Sequence, residues 1–217
     1  MPDYARQRRI MVASQLLAGG ATDERLLEAM EAIPREFFVP AEKRSIAYAD
    51  APLELVTRRW LLPPGTFGRL VQLARVAPDD SVLDVGCTTG YSTAVLARLA
   101  RQVIGLEEDA DLVRIASETL RGMDVGGAEI VQGRLAEGHR AGAPYDAILV
   151  EGAMEQDPER LLAQLAEGGR LVGILQREAQ GHAMIYRKEG GQTGRRMAFD
   201  ASAHVLASFR EPAGFVF

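Results

Sequence analysis

Asp84, the small-residue turn that follows it and Glu107 are the residues whose types and spacing could do chemistry together. Ser81-Val82-Leu83-Asp84-Val85 is a short apolar run, Gly86-Cys87-Thr88-Thr89-Gly90 a tight turn, and Tyr91-Ser92-Thr93-Ala94-Val95-Leu96-Ala97 opens a helical pattern. A strand, a sharp turn and a helix in that order leave backbone N–H groups free at the helix N-terminus, where a nucleotide-like cofactor can be held. Glu107 follows the turn by about twenty residues, the spacing at which an acid accepts hydrogen bonds from ribose hydroxyls. Read more plainly, Glu107 is a surface acid beside Glu108 and Asp109 that favours the next helix N-terminus, although Asp109 and Asp111 already serve that end.

The elements that must position these residues alternate. Ala5 to Leu17 reads as a helix, and Thr22 as the N-cap of a second with Leu26, Leu27, Met30 and Ile33 on one face and Pro34 closing it. Arg35 to Pro64 is irregular and rich in proline and aromatics, the pattern of a packed loop; Phe37, Phe38 and Trp60 either cover one end of the sheet or line a substrate pocket. Gly65 to Arg75 is helical. Strands are expected at Val103 to Glu107, Ala128 to Val131, Ala147 to Glu151 and Arg170 to Leu175. Helices are expected at Ala110 to Leu120 and Leu161 to Leu165, the last ended by Gly168-Gly169. His182 to Arg187 and Arg195 to Phe199 flank a Gly-rich turn and suggest a hairpin at the sheet edge. The expected fold is therefore α/β: a mainly parallel sheet with helices on both faces, an N-terminal helical addition and a C-terminal hairpin.

Composition narrows the chemistry. The 217 residues are 47% hydrophobic and 25% charged, enough for one compact unit with a substantial core. A formal net charge of −5 disfavours nucleic acid and anionic membranes as partners. Residues Met1 to Arg9 lack a signal-peptide core, no run approaches a membrane span, and a cytoplasmic location is the expectation. His139, His182 and His204 have no zinc-site spacing, so no metal is expected. The lone Cys87 has no neighbour that would activate it and reads as a small turn residue near the cofactor.

Nicotinamide dinucleotides and S-adenosylmethionine compete for such a turn. The dinucleotide fingerprint asks for glycine at its first, third and sixth positions, which here are Gly86, Thr88 and Tyr91. Two of the three fail. S-adenosylmethionine has no pyrophosphate and needs less bare backbone, so an acid, a small turn and a ribose-binding acid suffice.

Several segments together resemble the protein-L-isoaspartate O-methyltransferase family: Pro34-Arg35-Glu36-Phe37-Phe38-Val39-Pro40, Ala47-Tyr48-Ala49-Asp50-Ala51-Pro52-Leu53, Val82 to Tyr91, Ala143-Pro144-Tyr145-Asp146, and Leu161-Leu162-Ala163-Gln164-Leu165 with Gly168-Gly169-Arg170-Leu171-Val172. The resemblance implies a Rossmann-like class I methyltransferase fold. It also implies S-adenosyl-L-methionine as the cofactor and methylation of isoaspartyl residues in proteins or peptides, a repair reaction. On that basis residues 1–64 form a lid or substrate side, and residues 65–217 the donor-binding domain. The donor site is expected at Asp84, Gly86, Cys87, Thr88, Gly90, Tyr91, Glu107, Glu108, Arg134, Leu135 and Glu151. The chain departs from the family at three places. Its Gly-x-Gly-Gln-Thr-Ile-Ser-Gln-Pro segment is replaced by Val56-Thr57-Arg58-Arg59-Trp60-Leu61-Leu62-Pro63-Pro64, its middle turn glycine by Thr88, and its Gly-Asp-Gly by Gly133-Arg134-Leu135.

A carboxylate acceptor needs no general base near neutral pH, since its ordinary pKa is about 4. The missing His or Cys constellation is compatible with that. Glu151, ending a strand, is a candidate for orienting an acceptor or serving as base, or is a plain strand-end acid. Arg58 and Arg59 are candidates for pairing with a substrate carboxylate, and Trp60 for the pocket wall. Three readings remain open: an isoaspartyl methyltransferase, a same-fold methyltransferase with another acceptor such as a small molecule, and a non-catalytic remnant.

Overall fold

A computed structural model describes residues 3–177 and 180–211. Asp3 caps α1 (Tyr4–Met11), which runs on as a π-helical segment, Val12–Leu17. The cap of α2 (Glu24–Ala32) is Asp23, whose carboxylate accepts from the Leu26 amide at 3.2 Å, and not Thr22 as expected. Thr22 is otherwise engaged, its amide donating to Gln72 Oε1. Short 3₁₀ turns at Arg35–Phe38 and Ala41–Ile46 follow.

The stretch expected as a loop then contains a hairpin, β1 (Leu53–Val56) against β2 (Arg59–Leu61). Leu53, Leu55 and Leu61 turn inward with the two-residue period of a strand. The turn is disguised because Arg58 occupies the left-handed region at φ 65°, where glycine or asparagine would have announced it.

From here strands and helices alternate: α3 (Pro64–Ala74), β3 (Ser81–Val85), α4 (Tyr91–Leu96), β4 (Gln102–Glu107), α5 (Ala110–Gly122), β5 (Ala128–Gln132), β6 (Tyr145–Met154), α6 (Glu159–Leu162) and β7 (Leu165–Arg177). The hairpin β8 (Gln180–Glu189) and β9 (Gln192–Asp200) completes a seven-stranded sheet in the order β5-β4-β3-β6-β7-β8-β9. The first five strands are parallel and the last two add antiparallel at the edge. One boundary differs from expectation. Leu165 already pairs with Tyr145, so Gly168-Gly169 do not end a helix but sit in an irregularity inside β7, where a Cβ on Gly169 would lie 2.8 Å from the Ala166 carbonyl oxygen.

The two faces of the sheet are unequal. One packs Val82, Val103, Ala147, Leu149 and Val172 against α1 to α4, with Leu120 of α5 in the same core, so the N-terminal elements share it. The other packs Leu83, Val85, Leu106, Ile148 and Val150 against the short α6, a 3₁₀ turn at Leu135–Glu137 and the C-terminal residues Leu206 and Phe209. Among the described residues no helix is long and apolar enough to cross a membrane.

Arg170 ties the far ends of these layers together. It donates to the carbonyls of Ala74, Arg75 and Asp146 and pairs with Asp80, itself bonded to the Ala77 amide. Arg170→Met removes the cation and leaves Asp80 half-satisfied in a mostly buried setting; it should cost about 3 kcal/mol in denaturant unfolding.

Candidate functional site

The winding moves from β3 outward through β4 to β5, then returns to β6 on the other side of β3. The carboxyl ends of β3 and β6 therefore bound the crevice at the switch point, where open parallel sheets bind ligands. Asp84 pairs in register with Leu149, so Glu151, two residues on, emerges on the same face as Asp84. Both acids are buried.

Asp84 is held by the helix that the turn launches. Its Oδ2 accepts from Ser92 Oγ at 2.7 Å and Thr93 Oγ1 at 2.6 Å, and its Oδ1 has no partner. Burial pushes its carboxyl up to about 6, offset by the Thr93 and Ser92 hydroxyls. Glu151 Oε1 is also unpartnered, and burial, then the nearby Asp84 charge, push that carboxyl well above the usual range against the pull of Arg35. Arg35, fully buried, donates to the carbonyls of Ala47 and Leu62 and lies over the Tyr91 ring at 4.7 Å. The buried Thr88 hydroxyl, also without a partner, lies in the turn beside them. Two under-compensated acids with unused lone pairs suit a cationic ligand that also donates hydrogen bonds.

The turn has the geometry expected of it. Gly86, Thr88 and Gly90 all take positive φ, at 82°, 52° and 92°. Thr88 thus keeps a glycine-like backbone without being glycine. Cys87 is fully buried and its thiol is pushed well above its ordinary range, first by burial and then by Asp84 and Glu107, which agrees with a packing role.

Glu107, fully buried, ends the neighbouring strand. Its Oε1 accepts from the amides of Glu108 at 2.8 Å and Asp109 at 3.1 Å. Its Oε2 accepts from the Thr88 amide at 3.0 Å and from Arg59 Nη2. Burial raises this carboxyl, with Arg59 the largest opposing influence. Arg59, expected as a cation for a substrate, is instead turned inward, buried between Glu107 and Glu108.

The other candidates divide. Glu108 accepts from Ser208 Oγ, and Leu135 is buried against Gly86. Arg134 lies exposed at the start of the Leu135–Glu137 turn, away from the buried cluster. Arg58 is exposed at the tip of the hairpin, and Trp60 stacks on His204 with ring centroids 3.8 Å apart. Sequence reasoning missed Arg35 as a site residue and the whole of His204 to Phe209. Arg35 could have been suspected from its place in the Pro34 to Pro40 segment; the C-terminal residues carry no periodicity that would betray them.

A profile of the protein-L-isoaspartate(D-aspartate) O-methyltransferase family matches residues 7–205. The chain belongs to this family. It is 43% identical over 169 residues to the protein-L-isoaspartate O-methyltransferase of Synechococcus sp. (strain JA-2-3B'a(2-13)), covering 78% of this chain and 69% of that one. It is 38% identical over 192 residues to the enzyme of that name from Koribacter versatilis, covering 88% and 86% of the two chains. Among solved structures, a Plasmodium falciparum isoaspartate O-methyltransferase in complex with S-adenosyl-L-homocysteine superposes with a TM-score of 0.79 at 21% identity, over 96% of this chain and all of that one. Another protein-L-isoaspartate O-methyltransferase gives 0.80 at 21% identity, over 92% of this chain and 66% of that one. The Rossmann-like methyltransferase fold of these structures is the one described above, a mainly parallel seven-stranded sheet with helices.

The unbalanced acids generate a pH signature. A buried acid whose pKa rises from 3.8 to about 6 takes up protons on folding, so its contribution to stability declines as pH rises through that window. Asp84→Asn should therefore be more stable than the parent protein at pH 7.5, by about 3 kcal/mol at most, and the gain should shrink steadily as pH falls through the window from about 6 to 3.8. Thermal unfolding of both proteins across pH 4.5–8 checks this.

Proposed function

We propose that the protein is an S-adenosylmethionine-dependent carboxyl methyltransferase acting on isoaspartyl residues of cytoplasmic proteins. The observation that carries this reading is the pair of under-compensated acids, Asp84 and Glu151, at the switch point of a fold shared with that family. Their orphaned oxygens fit the methionyl end of the donor, whose ammonium and sulfonium are both cationic. The turn from Gly86 to Tyr91 would follow the donor, Glu107 and Glu108 would face its ribose, and Leu135 would lie along the adenosine. When bound, the donor supplies an electrophilic methyl group. The protein's own part is to align an acceptor carboxylate with it, and such alignment can supply on the order of 7–11 kcal/mol of barrier reduction. No base is needed, because an isoaspartyl carboxylate is ionised near neutral pH.

Residues 1–64 make the acceptor side in this reading. With Arg59 turned inward, Arg58 at the hairpin tip is the cation exposed toward an approaching carboxylate. Labelled donor incubated with an isoaspartyl peptide and its aspartyl twin should label only the first. Equal background labelling of both removes isoaspartate as the acceptor. Arg58→Ala should raise KM for the peptide about tenfold with kcat nearly unchanged, as expected for lost ground-state binding of one charge.

A further inference from the structure

The half of the crevice that should receive a ribose is filled by the chain itself. An ionised carboxylate offers about four acceptor positions, and Glu107 has four donors on it: the amides of Thr88, Glu108 and Asp109, and Arg59. Three of these are backbone and fixed by the turn and the start of α5. Arg59 alone is a side chain that can leave. Its hold is incomplete, since Nε is buried with no partner and the contact of Nη1 with Glu108 is 3.7 Å long.

The C-terminal segment closes the same space from above. Leu206 lies so near the ends of β3 and β6 that a Cβ on Gly152 would sit 2.6 Å from Leu206 Cγ, and one on Gly86 would sit 3.4 Å from its Cδ1. Backbone bonds seat the segment on the β6 end: Ala153 N to the His204 carbonyl, Leu206 N to the Ala153 carbonyl, and Glu155 N to the Phe209 carbonyl, all at 3.0–3.1 Å. Ser208 donates to Glu108, and His204 stacks on Trp60, which follows Arg59. Hairpin and segment thus interlock over the ribose acid.

We propose that Arg59 and the segment His204–Phe209 form a self-occupying gate on the ribose half of the donor site, displaced when the donor binds. The proposal rests on the donor reading above. A ribose diol and the Arg59 guanidinium want the same lone pairs of Glu107, and the adenosine wants the volume that Leu206 takes. Binding therefore runs against a closed state, and the apparent affinity is reduced by the fraction of molecules that are open.

S-adenosyl-L-homocysteine is the probe, titrated by calorimetry into the full-length protein and into Arg59→Ala and Leu206→Ala, each checked for folding by circular dichroism. Both variants should bind at least about tenfold more tightly than the parent, and the double variant less than the product of the two, because they open one gate. Hydrogen exchange at the Leu206 and Glu155 amides should quicken when the probe is added, while the turn amides from Gly86 to Tyr91 slow. Equal affinities in all the folded proteins leave the donor reading intact and overturn the gate. Weaker binding by Arg59→Ala also overturns it, since Arg59 would then contact the ligand. No binding by any of the proteins removes both.

Discussion

A buried carboxylate must have its lone pairs filled, and the fold around the crevice depends on how three of them are treated. Glu107 is saturated, Asp84 is half-satisfied by Ser92 and Thr93, and Glu151 has an oxygen with no partner. The satisfied acid orders structure, since its donors come from the β3 turn, the α5 start and the β2 hairpin. The unsatisfied ones store a demand for positive charge. One end of the crevice is thus a finished part of the protein and the other an unfinished one.

The division also bears on two residues that take a left-handed backbone without being glycine. Arg58 in the hairpin turn and Thr88 in the turn after β3 both lie in the left-handed region. Such positions carry a steric cost of about 1 kcal/mol or more that the surrounding structure must offset. At Thr88 the offset is visible, because its amide is one of the four donors on Glu107. There the acid itself holds the course of the backbone.

Most of the fold could be read from the sequence because parallel strands buried on both faces and amphipathic helices have strong periods. β3, β4, β5, α3 and α5 fall close to where those periods put them. The turn and Glu107 were legible for the same reason. The short hairpin was not, since three to four residues give little period and its turn lacks the usual glycine. Nor was the orientation of Arg59. An arginine in a loop is ordinarily solvated, and the acid that draws it inward lies 48 positions away. His204 to Phe209 fold by docking on β6 rather than by any local preference, so no window of sequence contains the reason for their structure.

β6 is ten residues long and carries both Glu151 and Ala153, to which the C-terminal segment is bonded. Under the proposed gate, a ligand must wait for the segment to leave this strand before it can enter. Association then has a ceiling set by the protein: at high ligand concentration the observed rate levels off at the speed with which the segment leaves β6, a local opening on the microsecond-to-second scale, and stops reporting on collisions at all.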